Sequence, residues 1–201
     1  MIASRPLLVL SVLAGAVGPA AADPAIIPDF SLSAVTIECS DATLLVTPAG
    51  RGPALDELGC TITVQLLDAT GSPVSGYPAQ DLWVDDVGNG DLYQCPGAAR
   101  ADAATNGEGF TTFTGRPAMG GWTEEGVQVY AGGQPIAVPL PLDVNGPDLT
   151  RDGAVDLADL GEFAVDFVAA APVFRSDLVA DGSSDIADLG TFAIHFGDAC
   201  F

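Results

Sequence analysis

Lysine is absent from this chain, and histidine occurs once. All six basic residues are arginine, set against 27 acids, for a formal charge of −21. Such a surface argues against nucleic acid and anionic membrane surfaces as partners, because both need clustered cations. The lone histidine, His195, has no evident Ser or Cys partner, so no nucleophilic triad is in sight. It reads instead as an exposed or partly packed helix residue. No cysteine pair has the C-x-x-C spacing, which argues against zinc and redox chemistry. No apolar run reaches the roughly 20 residues that span a bilayer. Membrane insertion is therefore not expected.

Catalytic carboxylates are equally hard to find. Glu124-Glu125 and Asp85-Asp86 are the obvious pairs, but neighbours on a strand point to opposite faces. Neither pair forms an acid/base couple by itself, and the chain reads as no enzyme.

What is present starts with an export signal. Residues 1–22 combine Arg5, an apolar core from Leu7 to Val17 and a small-residue site, Ala20-Ala21-Ala22, before Asp23. The expected location is secreted or cell-surface.

The most informative stretch is near the C-terminus. Asp148-Leu-Thr-Arg-Asp-Gly-Ala-Val-Asp-Leu-Ala-Asp-Leu-Gly is echoed by Asp177-Leu-Val-Ala-Asp-Gly-Ser-Ser-Asp-Ile-Ala-Asp-Leu-Gly. Each copy places carboxylates at positions 1, 5, 9 and 12 of a twelve-residue loop, with glycine at 6. That is the pattern of a calcium loop, since calcium takes six to eight hard oxygen ligands. Eight of the 27 acids lie in these two loops. The ligands expected in the first are Asp148, Thr150, Asp152, Ala154, Asp156 and Asp159, with Ala154 using its carbonyl and Asp156 a bridging water. In the second they are Asp177, Asp181, Ser183, Asp185 and Asp188. Val179 stands where Thr150 does and has no side-chain oxygen. Two calcium ions are thus expected, the second more weakly held.

A helical pattern follows each loop: Leu160, Phe163, Ala164 and Phe167, then Leu189, Phe192, Ala193 and Phe196. There is no room for a full helix before either loop, and position 12 is Asp, not Glu. These features resemble the type I dockerin over residues 143–201, with Asp-Gly-Ala-Val-Asp-Leu-Ala-Asp-Leu the most specific motif. The resemblance implies a small α-helical domain of two calcium loop–helix (EF-hand-like) repeats whose partner is a cohesin-like domain, as in polysaccharide-degrading assemblies. It also implies that loop positions 10 and 11 face that partner. These are Leu157-Ala158 and Ile186-Ala187. The competing reading is that Leu157 and Ile186 pack the repeats against each other.

Residues 23–142 have a different texture. Short β-branched or alternating runs recur between Gly, Pro, Asn and Asp: 34–38, 61–66, 81–84, 110–113, 127–130 and 136–140. They predict an antiparallel β-sandwich, making the whole chain mainly β. The stretches 61–76 and 105–113 resemble strand–turn–strand segments of bacterial Ig-like domains of the invasin type. Trp83 and Trp122 are core or rim residues on this reading, with sugar stacking as the alternative. Residues 138–147, rich in proline, mark the boundary before the repeats.

The four cysteines, Cys39, Cys60, Cys95 and Cys200, suggest two disulfides in an exported chain, with three connectivities allowed. The favoured pairing is Cys39–Cys60, because the end of one strand and the start of its neighbour lie close in a sandwich. It leaves Cys95–Cys200, which would tie the C-terminus to the β region. The leading expectation is a secreted docking protein. The alternatives are a calcium-stabilised adhesin or surface structural protein, and a carbohydrate-binding accessory that also contacts polysaccharide.

Overall fold

The computed structural model describes residues 27–39, 43–97, 99–169 and 171–201. The expected export signal, 1–22, lies outside the described residues.

Alternation between apolar and polar residues builds the main strands. In β3 (Thr61–Gln65), Ile62 and Val64 are buried while Thr61, Thr63 and Gln65 are half-buried. A strand sends successive side chains to opposite faces, so one face joins the core and the other meets solvent. β3 lies between β1 (Ala34–Glu38) and β6 (Phe110–Phe113), antiparallel to both. A second antiparallel sheet has β8 (Val127–Ala131) between β4 (Leu82–Asp85) and β9 (Gln134–Leu140). Both sheets contribute to one apolar core, including Ile62, Val64, Phe113, Leu82, Val129 and Ile136. The architecture is mainly β with antiparallel sheets, as the sequence led one to expect.

Three shorter features complete it. β5 (Leu92–Gln94) pairs antiparallel with β7 (Met119–Gly121). β2 (Leu44–Leu45) pairs with β10 (Val144–Asn145), and that pairing is parallel. Half of the stretch 138–147, expected as a boundary, is therefore strand: its first three residues end β9 and Val144–Asn145 close onto β2. Pairing carries the sheet structure to within three residues of the first acidic loop.

Both expected disulfides are present, Cys39–Cys60 and Cys95–Cys200. The first joins the end of β1 to the start of β3, and the second ties residue 200 to the end of β5. Disulfides of this kind belong to oxidising compartments. Among the described residues no helix is long and apolar enough to cross a membrane.

Two helices follow, α1 (Leu157–Phe167) and α2 (Ile186–His195). A second small core lies between them, made of Leu149, Val155, Phe163, Leu178 and Phe192, with Leu45 and Trp122 of the β region packed against it. The helical periodicity marked Phe163 and Phe192 correctly, each 1% exposed. Phe167 and Phe196 lie at the helix ends and remain 42% and 47% exposed.

The inner face of α1 also buries an acid. Asp166 accepts hydrogen bonds from Arg175 Nε at 2.7 Å, Arg175 Nη2 at 2.9 Å and Ser176 Oγ at 2.6 Å. Burial works to raise its pKa, but the bonds from Arg175 and Ser176 outweigh it and hold the carboxyl below its ordinary 3.8. The same bond raises the pKa of Arg175. Asp166→Asn should cost about 3 kcal/mol at pH 7, because Arg175 is left without its main counter-charge. A folded-state pKa below the unfolded one stabilises above the unfolded value, and the gain is lost as pH falls through the folded value. Urea unfolding should therefore separate wild type from variant at pH 7, and the gap should narrow as pH falls below the ordinary carboxyl value of 3.8. A gap that persists undiminished in acid would show that Asp166 acts through packing alone.

Candidate functional site

The paired acidic loops, 148–159 and 177–188, share one backbone design. Position 4 is left-handed in both (Arg151 φ 62°, Ala180 φ 56°), and position 6 is glycine at φ 85° in both. Only glycine takes that conformation without a steric penalty, which is why the Asp-Gly step recurs. The loop then wraps around its first carboxylate. Asp148 Oδ1 and Oδ2 accept the N–H groups of Asp152 and Gly153 at 3.2 and 2.9 Å, and Asp177 accepts those of Asp181 and Gly182 at 3.0 and 2.8 Å.

The far end of each loop is a helix cap. Asp156 and Asp185 are the N-caps of α1 and α2, accepting from the N–H groups of Ala158 and Ala187 at 2.7 Å each. Asp159 and Asp188 reach back to the N–H groups of Asp156 and Asp185, completing capping boxes. Their other oxygens accept from the position 3 N–H groups, Thr150 at 2.8 Å and Val179 at 2.9 Å. In the first loop Thr150 Oγ1 adds a bond to Asp159 at 2.9 Å, for which Val179 has no counterpart. Asp152 and Asp181 accept from the position 7 N–H groups, Ala154 and Ser183, at 3.0 Å each, and Ser183 Oγ adds another at 2.6 Å. Every carboxylate expected in the site thus belongs to one of two matching loops.

Asp148, Asp159 and Asp188 are fully buried and Asp177 nearly so. Among the described residues, none of the eight loop carboxylates takes part in an ion pair. A buried carboxylate without a counter-charge is costly. Burial, helped by the charges of Asp159 and Asp152, lifts Asp148 to about 6 against the lowering effect of the Gly153 and Asp152 N–H groups. Donors that are all oxygen, and mostly carboxylate, match hard divalent cations better than zinc. The carboxylates turn onto backbone N–H groups, and among the described residues no group of three or more His, Cys, Asp or Glu side chains is arranged to hold a metal ion.

Leu157 and Ile186 are 73% and 71% exposed, and Ala158 and Ala187 beside them are exposed too. They do not pack the repeats together; Phe163 and Phe192 do, with ring centroids 5.7 Å apart. His195 departs from expectation. It is buried, and its Nδ1 lies 3.1 Å from Oδ2 of Asp198, whose other oxygen pairs with Arg51. Periodicity missed this because the partners lie beyond the helix and on the β region. The tryptophans find ring partners within the chain: Trp83 stacks on Tyr130, and Trp122 lies under Arg151 with the guanidinium 5.1 Å from the ring centroid. No family matches this chain, and no curated protein matches it.

Proposed function

We propose that this chain is a secreted, non-catalytic docking protein. Its C-terminal region acts as a dockerin-like pair of EF-hand-like calcium repeats, presented on an Ig-like sandwich, and its partner is a cohesin-like domain. The calcium ligands are Asp148, Thr150, Asp152, Ala154, Asp156 and Asp159 in the first loop, and Asp177, Asp181, Ser183, Asp185 and Asp188 in the second. The ion would supply the positive charge that the eight carboxylates lack, and fix the start of each helix.

The observation that carries the reading is the matched exposure of Leu157 and Ile186. Large aliphatic side chains left in solvent at equivalent positions of both copies are natural contact anchors. Val165 and Ile194, two turns further along, are also 65% and 73% exposed, which extends each anchor into an apolar face. A small residue next to each anchor, Ala158 or Ala187, lets a partner approach the helix backbone.

The test is capture by an immobilised panel of cohesin domains, with calcium and with chelator. Binding of at least one cohesin in calcium, lost in chelator, is the expected result. Failure to bind any of them, or binding indifferent to chelator, counts against the proposal.

A further inference from the structure

The two acidic loops match inside and differ outside. The first is built into the β region. Its Asp148 carboxylate rests on Gly120 of β7 so closely that a Cβ there would lie 1.9 Å from Oδ2. The Asp148 carbonyl accepts the Gly121 N–H at 3.0 Å. Gly153 faces Tyr93 and Cys200, where a Cβ would meet Cε1 at 2.7 Å and Sγ at 3.2 Å. Arg151 adds an ion pair to Asp91 at 3.1 Å.

A C-terminal strap closes the other side. Val155 donates to Asp198 O at 2.8 Å and accepts from the Gly197 N–H at 2.8 Å, while Cys200 donates to Gly153 O at 2.9 Å. The strap is itself anchored twice, through Cys95–Cys200 and through Asp198 to Arg51. The second loop has little of this. A Cβ on Gly182 would meet nothing within 4 Å, and Val179 to Gly182 are all exposed. Its outside contacts are fewer: Asn145 Nδ2 on Asp177 O at 2.8 Å, and, at the position equivalent to Val155, Ser184 Oγ against Val173 of the chain just before the loop.

We infer that the β region and the Cys95–Cys200 strap hold the first acidic loop closed without an ion, whereas the second closes only around one. The ion is taken from the proposed docking function; the lock on the first loop is independent of it. Closing a loop against its own carboxylate repulsion costs chain entropy and electrostatic energy. In the first loop, contacts from outside offset that cost before any cation arrives. In the second, only the cation can. Reducing the disulfide frees the strap and returns the first loop to the condition of the second.

Amide hydrogen exchange on the full chain in chelator tests this, oxidised and then reduced, with the amides of β3 as the folding control. In the oxidised protein the amides of Gly153 and Val155 should exchange at least ~100-fold more slowly than those of Gly182 and Ser184. Reduction should bring the loops within about 3-fold of each other, and calcium should then slow both. Gly120→Ala, with the disulfide intact, should also release the first loop by displacing Asp148. Equal exchange of the two loops in the oxidised, ion-free protein would overturn the lock and leave the calcium reading standing. So would a first loop indifferent to both reduction and Gly120→Ala. No response of the second loop to calcium would overturn its ion dependence, and the calcium reading with it.

Discussion

Phe192→Ala should destabilise the helical region by about 3–5 kcal/mol, the usual cost of emptying a buried aromatic site. Phe192 is 1% exposed and packs on Phe163 within a core of only five buried side chains. So small a core has only a thin surround, including Leu45 and Trp122, to close over the gap, and a region of this size has little stability to spare. The β region draws on its own larger core and should survive. Thermal unfolding followed by far-ultraviolet circular dichroism should show the helical signal melting well before the β signal, with one shared transition in wild type. A loss below about 1 kcal/mol would mean that the Cys95–Cys200 strap and the acidic loops, not the phenylalanines, hold α1 and α2 together.

How far the fold is legible in the sequence depends on how local its cause is. The strands at Ala34–Glu38 and Phe110–Phe113 fall where alternation puts them, and β3, β4, β8 and β9 differ by a residue or two at their ends. β2, β5, β7 and β10 were not legible. Each has two or three residues, and Met119-Gly-Gly in β7 has no β-propensity of its own. Such strands exist because a partner far along the chain offers free backbone groups. Thus β10 is strand because Leu44–Leu45 lies along one side of it and Thr123 pairs with Val144 on the other.

The acidic loops show the same division. Their internal hydrogen bonds follow from residues at most nine apart, so the repeat announced them. Their setting did not: Asp198 meets Arg51 across 147 residues, and Asp148 meets Gly120 through a contact that depends on a missing side chain. One signal could have been read. With six bases against 27 acids, an arginine inside the acidic C-terminal region is conspicuous, and Arg175 does neutralise the buried Asp166.

Leu157→Asp combined with Ile186→Asp should cost capture of the proposed cohesin-like partner at least about 30-fold, since a hot-spot side chain can carry 2 kcal/mol or more and neither orientation then retains one. Each substitution alone should lose about 5-fold or less, because the equivalent side chain of the other repeat can take its place after a half-turn. The equivalence rests on geometry: both residues are the first of their helix, follow an N-cap aspartate with the same capping box, and are exposed to nearly the same degree. Stability should hardly change, since neither side chain is buried and an acid in the first turn suits the helix dipole. The natural confusion is with lost metal binding, because the substitutions lie between loop carboxylates. Calcium titration of the double variant should therefore accompany the capture assay. Unchanged calcium binding with capture weakened to that extent identifies the two aliphatic side chains as the contact. If instead Leu157→Asp alone abolishes capture and Ile186→Asp has no effect, only the first repeat docks. The second loop would then serve folding rather than recognition.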